Sequence, residues 1–363
     1  MAKRVNQQLI ADKLQVSRAT VSRCFTNHPG INPETRGKVF KLAAALGYNH
    51  LEPRTGKGRR KSSPNRYGVL ICTDVESYES TDYQSPGENL IAGLSEFSQL
   101  NNLLMEIHCV DPSEKTLTDP SYAKIETLGR REWDGVVLVY PFPETIVDEL
   151  NLQVPVVSLV EQYSGTPVNC VDVDHHRGIA LILRRLSDLG HKRIGFMTHR
   201  YGFDANWALR RHSAYVEEMT RLGLMVDPAN VLNVRPTDRL VPEEAYAKAL
   251  ERTRYGVTAW VCAADHQAYG LISFFQQHGV KTPADVSVTG FDGIEKPDWA
   301  PELTTAVIPY YEIGQIGGRR LEDLAQKRFG SAQHVMLDCT LREGETVGPA
   351  TSGSATSGPA AIN

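Results

Sequence analysis

Apolar side chains recur at helical spacing over the first fifty residues. Leu9, Ile10 and Leu14 share one side of a helix that Asn6 can cap, and Val21, Cys24 and Phe25 share one side of a second that Ser17 can cap. Val39, Leu42, Ala43 and Leu46 repeat at i, i+3, i+4 and i+7 in a third, opened by Asn32-Pro33-Glu34, a cap followed by proline at the first helical position. Each helix is short and one-sided, so the three predict one shared core. From Tyr67 the pattern changes. Short apolar runs (YGVLICT, LLMEIHCV, DGVVLVYP, VPVVSLV) alternate with helical patterns near Glu88 to Leu100, Tyr122 to Arg131 and Pro143 to Asn151. A second series begins at NCVDVD and continues through RIGFMTH, a strand around Val231 to Val234, TAWVCAAD and DVSVTGFD, again separated by helical stretches. Strand and helix in alternation predict two doubly wound lobes with parallel sheets.

Composition sharpens this division. At 363 residues, with 41% hydrophobic and 23% charged positions, the chain is long enough for two or three domains of ordinary globular character. The net charge of −4 is unevenly spread. Residues 1–66 hold 14 Lys and Arg against 3 Asp and Glu, a net of +11, and the remaining 25 basic and 40 acidic residues carry −15. The basic end is where a polyanion would bind. No apolar run is long enough to span a membrane and MAKRVNQQ leads into no signal-peptide core, so a cytoplasmic protein with no membrane partner is expected. The six cysteines are scattered without a CxxC pair and read as buried, reduced thiols.

The second helix carries the chemistry of the basic end. Opposite its apolar side stand Arg18, Ala19, Ser22 and Arg23, and only Gln15 and Val16 separate it from the first helix before Ser17. An amphipathic helix with two arginines is commonly just a solvated surface. Three short helices, a tight turn and outward guanidinium groups together point to a helix-turn-helix that reads double-stranded DNA in the major groove. Here VSRATVSRCF followed by NPETRGKVFKLAAALGY resembles the amino-terminal domain of the lac repressor and galactose repressor family. The resemblance implies that Arg18 and Ala19 are base readers and that Arg23 contacts a base or the backbone. It places Thr20, Ser22, Asn27 and Arg36 as phosphate-side contacts, with Ser17 at the helix start. Gln7 and Gln15 depart from the family's apolar residue and turn glycine.

The segment that follows, NHLEPRTGKGRRKSSPNR, holds two prolines, two glycines and a basic cluster. The family's hinge helix and its wedging leucine are missing; Pro53, Gly56 and Gly58 oppose a helix, and Lys57 lies near the leucine's place. Two readings stay open: a solvated tether, or a basic strand in which Lys57, Arg59 and Arg60 follow phosphates or a narrow minor groove. The expected organisation is a helix-turn-helix domain over residues 1–50, a basic linker over 51–66, a two-lobed body over 67–345, and a low-complexity tail without fixed structure over 346–363.

The body also resembles this family, through VNCVDVDHHRGIALILRRLSDLGHKRIGFM and VSVTGFDGIEKPDWAPELTTAVIP. With the amino-terminal part, the likeness covers residues 5 to 345. It implies a periplasmic-binding-protein type I fold whose chain crosses between lobes three times, a homodimer on a palindromic operator, and a small polar effector between the lobes, a sugar or related metabolite. Carried over by position, Arg211 would grip polar ligand groups and Asp265 and Asp292 would meet the ligand; Tyr83, Trp207 and Tyr310 are aromatic candidates for stacking on a sugar or base. Without the resemblance, Arg211 reads as a helix-surface ion pair and Asp292 as a turn cap. His175-His176 suggests a metal, but adjacent residues on a helix point apart and no third ligand is placed, so no metal is expected. No P-loop, nucleophile elbow or GxGxxG occurs, and no cofactor or enzymatic activity is expected. The expectation is a ligand-responsive, sequence-specific transcriptional regulator, a repressor. The competing class is a solute-binding or sugar-processing protein that shares only the body.

Overall fold

A computed structural model of the chain describes residues 6–25, 30–46, 48, 65–72, 86–200, 206–235, 237–326 and 331–350. It forms two compact units, Met1–Asp172 with Pro309–Leu337, and Val173–Ile308 with Asp338–Asn363, so the chain passes from one to the other three times.

The first unit begins with three helices, α1 (Gln7–Lys13), α2 (Arg18–Phe25) and α3 (Pro33–Ala45). Their inward positions are those set by the 3.6-residue period: Ile10, Ala11, Val21, Cys24, Val39, Leu42 and Ala43 are buried together, with Phe25 against Phe40 and Tyr48 at ring-centroid distances of 5.4 Å. Asn6 caps α1 by accepting from Leu9 N at 2.9 Å, and Ser17 Oγ accepts from Thr20 N at 3.0 Å to start α2. At the turn between them Gln15 has φ 53°, the left-handed region that glycine occupies without a Cβ penalty. Gln15→Gly is therefore expected to stabilise the helical head by about 0.5–1 kcal/mol, the gain being reduced by the greater freedom of glycine in the unfolded chain. Slower amide hydrogen exchange across α1 and α2 would show it.

The rest of the first unit is a sheet in the order β11-β5-β4-β3-β1-β2, made of β1 (Arg66–Cys72), β2 (Leu104–Val110), β3 (Gly135–Val139), β4 (Val156–Leu159), β5 (Asn169–Val173) and β11 (His334–Leu337). The pairings of β1 with β2 and β3, of β3 with β4 and of β4 with β5 are parallel. The crossovers include α4 (Pro86–Leu100), α5 (Pro120–Ala123), α6 (Glu126–Gly129) and α7 (Glu144–Asn151). The single helix expected over Tyr122 to Arg131 is two short ones, because Ile125 takes an extended conformation between them (φ −85°, ψ 92°).

The second unit repeats the plan with α8 (His175–Asp188), β6 (Ile194–Met197), α9 (Asn206–Arg221), β7 (Val231–Leu232), α10 (Pro242–Arg254), β8 (Ala259–Cys262), α11 (Asp265–Gln277), β9 (Ser287–Asp292) and β10 (Thr304–Val307). The final helix, α12 (Tyr310–Ala325), belongs to the first unit, and β12 (Thr340–Arg342) closes the second sheet in the order β12-β10-β9-β8-β6-β7. Only β12 runs antiparallel to its neighbour among the paired strands of this sheet. The strand expected around Val231 to Val234 is two residues long. Asn233, at φ 61°, ends it and holds the Leu240 backbone through both side-chain atoms.

The helical head packs on the rest of its unit, α3 lying on α4 and touching β2. Defined structure continues past 345. Thr346 is fully buried, its hydroxyl accepting from Thr304 N at 3.0 Å, and Gly348 N donates to Ser287 Oγ while Gly348 O meets His191 Nε2 at 2.9 Å. Small polar residues there read as low complexity, yet their backbone completes the second unit as far as Ala350, whose N–H donates to Leu189 O. Most of the expected linker, residues 51–64, and the tail beyond Ala350 lie outside the described residues.

Candidate functional site

Two sites stand on this framework. The first is the outer face of α2. Its buried residues are Val21 and Cys24, so the half-turn between them turns outward, and Ser17, Arg18, Ala19 and Arg23 are exposed with Thr20 and Ser22 half-buried. Ser17 and Thr20 are joined by a hydroxyl contact of 2.9 Å, which places both at the cap. Arg18 and Ala19 then form the first turn of the helix, with basic side chains at both of its ends and no acidic residue in that first turn. A face of this kind offers guanidinium forks for guanine O6 and N7 and small groups that let the helix approach base edges.

Arg36 departs from the expectation. It is 1% exposed and lies by the Cys24 thiol, with burial lowering its pKa, so it serves the core of the head and not a phosphate in this arrangement. The helical period of α3 carries Arg36 inward beside Val39. Asn27, Lys57, Arg59 and Arg60 lie outside the described residues.

The second site lies at the carboxyl ends of the strands in the second unit, where open parallel sheets bind ligands. Arg211 on α9 is almost fully buried, contrary to a surface ion pair. Its Nη1 donates to Asp292 Oδ1 at 3.0 Å and to the Ala263 carbonyl oxygen, and its Nε donates to His175 Nδ1 at 3.3 Å. The guanidinium carbon stands 3.9 Å from the centroid of the Phe291 ring and 4.7 Å from that of Trp207, close enough for cation–π attraction. Arg211 and Asp292 are thus brought together.

Asp265 is brought near, with its carboxyl group turned into the fold. It is 0% exposed, and its oxygens accept from Gly293 N at 2.7 Å, Ile294 N at 2.9 Å and Thr305 Oγ1 at 2.6 Å. Burial, followed by the nearby Asp292 carboxylate, raises its pKa, while these three hydrogen bonds pull the other way. Its work is to hold a strained turn: Asp292 has φ 134° and Gly293 φ 78°, an unfavourable conformation for the aspartate. Asp265 therefore positions Asp292, which in turn orients Arg211. Tyr310, the first residue of α12, is buried in the first unit, and Tyr83 lies outside the described residues.

Sequence reasoning passed over His199 and His266 and weighed His175 only as a metal ligand. His175 opens α8 directly after β5, His199 follows β6, and His266 is the second residue of α11 after β8. The His199 and His266 rings lie 5.7 Å apart, and Tyr246 Oη meets His199 Nε2 at 2.9 Å. Burial drives both pKa values down to about 4, with the like charge of Arg211 adding at His266, so both imidazoles are neutral at pH 7. Their signal in the sequence was position: each stands just past a strand. Among the described residues no group of three His, Cys, Asp or Glu side chains is placed to hold a metal, and no helix is long and apolar enough to cross a membrane. What the site offers is a cation, a carboxylate, aromatic faces and neutral imidazoles, which is binding chemistry for a polar ligand.

Comparison with known proteins finds relatives of both parts of the chain. Residues 8–50 match the bacterial regulatory proteins of the lacI family, and residues 183–347 match the periplasmic binding protein-like domain. The transcriptional repressor CytR of Escherichia coli K12 is 27% identical over 340 residues, 92% of this chain and 93% of that protein. The chain is similar to lacI-family regulators along nearly its whole length. Catabolite control protein A of Priestia megaterium is a comparable relative, 26% identical over 332 residues that cover 90% of this chain and 95% of its own. In fold, the chain is similar to the lac repressor dimer bound to operator and an anti-inducer, at a TM-score of 0.62 and 20% identity over 95% of this chain and all of the other. A regulator from Weissella paramesenteroides with bound glucose superposes at a TM-score of 0.62, with 23% identity over 78% of this chain and 99% of the other. The chain is a ligand-responsive DNA-binding regulator.

Proposed function

We propose that this regulator represses transcription by binding a palindromic operator as a homodimer in the cytoplasm, and that a small polyhydroxylated effector, a sugar or a close relative of one, alters that binding from the second unit. The observation that carries the DNA reading is the first turn of α2, where Arg18 and Ala19 stand exposed above a capped helix start. A palindrome follows from two-fold symmetry: each subunit of a dimer offers one such helix to one half-site. The likeness to CytR, a repressor, and to the operator-bound lac repressor dimer supports this reading.

For the effector, the Arg211–Asp292 pair at 3.0 Å favours a hydroxyl, which can accept from the guanidinium and donate to the carboxylate at once. A bare carboxylate ligand would gain from Arg211 but be repelled by Asp292. The flat faces of Phe291 and Trp207 suit the apolar side of a sugar ring. The glucose bound by the W. paramesenteroides regulator is in keeping with this class. No covalent chemistry is assigned to the site; its role is to bind and to shift an equilibrium.

Selection of bound sequences from a random double-stranded pool, with and without a panel of sugars and related metabolites, tests both parts. An enriched palindrome whose recovery changes with one of the compounds is the expected result. Binding that follows salt alone, with no preferred sequence, would overturn it. On the selected operator, Arg18→Ala is expected to lose about 1–3 kcal/mol of discrimination at one position of each half-site while other positions keep theirs, as a bidentate guanine contact requires. An unchanged base preference in a repeat selection would remove Arg18 from the readout.

A further inference from the structure

Helix α3 does more than close the core of the head. Its other side lies on α4, and Gly37 marks the closest approach: a Cβ there would stand 2.8 Å from the Glu88 carbonyl oxygen and 3.3 Å from Ala92 Cβ. All three nearest atoms belong to α4 and none to the head, so the glycine serves this contact and not the three-helix core. One turn further on, the Lys41 side chain is 2% exposed, with Nζ 3.6 Å from the Glu88 carboxylate, which is itself 13% exposed. Burial lowers the Lys41 pKa to about 8 against the pull of Glu88. A cation at that depth is held by its partner and by the fit around it, not by a surplus of Coulomb energy.

We propose that the α3–α4 contact is an autoinhibitory dock, which holds the DNA-binding head on the first unit with Lys41 withdrawn from solvent and from which DNA must draw the head. A polyanion gains affinity from each basic group it can reach. In the dock Lys41 is neutralised by Glu88, and the Gly37 side of α3 is closed to a phosphate backbone by α4. Binding to DNA and docking on α4 therefore compete for the same helix.

The dock is connected to the rest of the regulator by a second tight interface. Helix α4 lies against α12 with no room for a Cβ at Gly93, which faces the Tyr311 carbonyl, or at Gly314, which faces that of Leu90. Glu96 on α4 accepts hydrogen bonds from Tyr311 Oη at 2.6 Å and from Gln315 Nε2. Helix α12 begins directly after the crossing of the chain at 308–309. Backbone-to-backbone packing of this kind passes a displacement on with little loss, because it has few side-chain rotamers to absorb it. An effector that moves α12 would thereby strengthen or weaken the dock without acting through residues 51–66. This last step rests on the effector reading proposed above; the dock itself does not.

Two variants of the full chain separate the dock from folding of the head. Gly37→Ala adds a methyl group whose three nearest neighbours are α4 atoms and raises helix propensity in α3. Glu88→Gln leaves the head untouched and removes the counter-charge of a buried lysine. The readouts are the rate of Lys41 acylation by an N-hydroxysuccinimide ester, followed by peptide mass spectrometry, and the affinity for a mixed-sequence duplex at low salt. Both variants are expected to speed Lys41 acylation and to tighten duplex binding, each by about tenfold, a typical coupling between two sites. Unchanged acylation in both variants, or faster acylation with no gain in duplex affinity, would overturn the dock. Failure of the operator and effector reading would show instead as an absent sequence preference with Lys41 still released.

Discussion

Asp265→Ala is expected to cost the second unit about 3 kcal/mol and to abolish the response to effector while leaving operator binding by the head in place. The substitution strips the acceptors from Gly293 N, Ile294 N and Thr305 Oγ1, and unsatisfied buried donors cost roughly 1–3 kcal/mol each where water cannot replace the lost partner. It also frees a turn that is held against its own preference, with Asp292 at φ 134°. Asp265→Asn is expected to rescue little, because its amide would present donors to a set of donors. Urea unfolding followed through Trp260, buried in the same unit, measures the stability; operator titrations with the selected effector measure the response. A variant as stable as the parent would show that water or a shifted backbone satisfies the turn, and would remove Asp265 from the chain of support for Asp292.

Arg211→Met carries the second large effect. Methionine fills much of the same volume between Phe291 and Trp207 but leaves Asp292 without its cation. Removing one member of a largely buried pair costs about 3–5 kcal/mol when the other charge stays in place. The pair is not wholly sealed, so a value at or below the lower end is expected. Effector affinity should fall by more than the loss of one neutral hydrogen bond, on the order of a hundredfold for a charged donor. The double variant Arg211→Met with Asp292→Asn should recover stability without recovering effector binding. Calorimetry with the selected effector separates the two. If the double variant binds as the parent does, the pair is structural and the ligand lies elsewhere.

Much of the plan was written in the chain's periods. Three helices with a common apolar side, and strands alternating with helices through two series, follow from where water is excluded along each element, and local caps such as Asn6 and Ser17 fixed where helices begin. The outward face of α2 was legible in part for the same reason: burying Val21 and Cys24 leaves Arg23 outside, while Arg18 is exposed at the first position of the helix. Residue type and position do not reveal partners: Arg36 turns inward beside Cys24, and Asp265 accepts from two backbone amides and a hydroxyl.

The sequence by itself determined the architecture, the basic head, the buried cysteines and the positions past the strand ends where polar residues gather, because these depend on spacing along one element. Tertiary structure alone decided what spacing cannot encode. It set Asp265 to orient Asp292 and not a ligand, drew His175 onto Arg211, tied Thr346 and Gly348 into the second unit, and laid α3 on α4 with Lys41 against Glu88. Each of these joins residues tens to hundreds of positions apart, and such contacts form only once separate elements have buried their apolar faces and brought their polar groups within hydrogen-bonding distance.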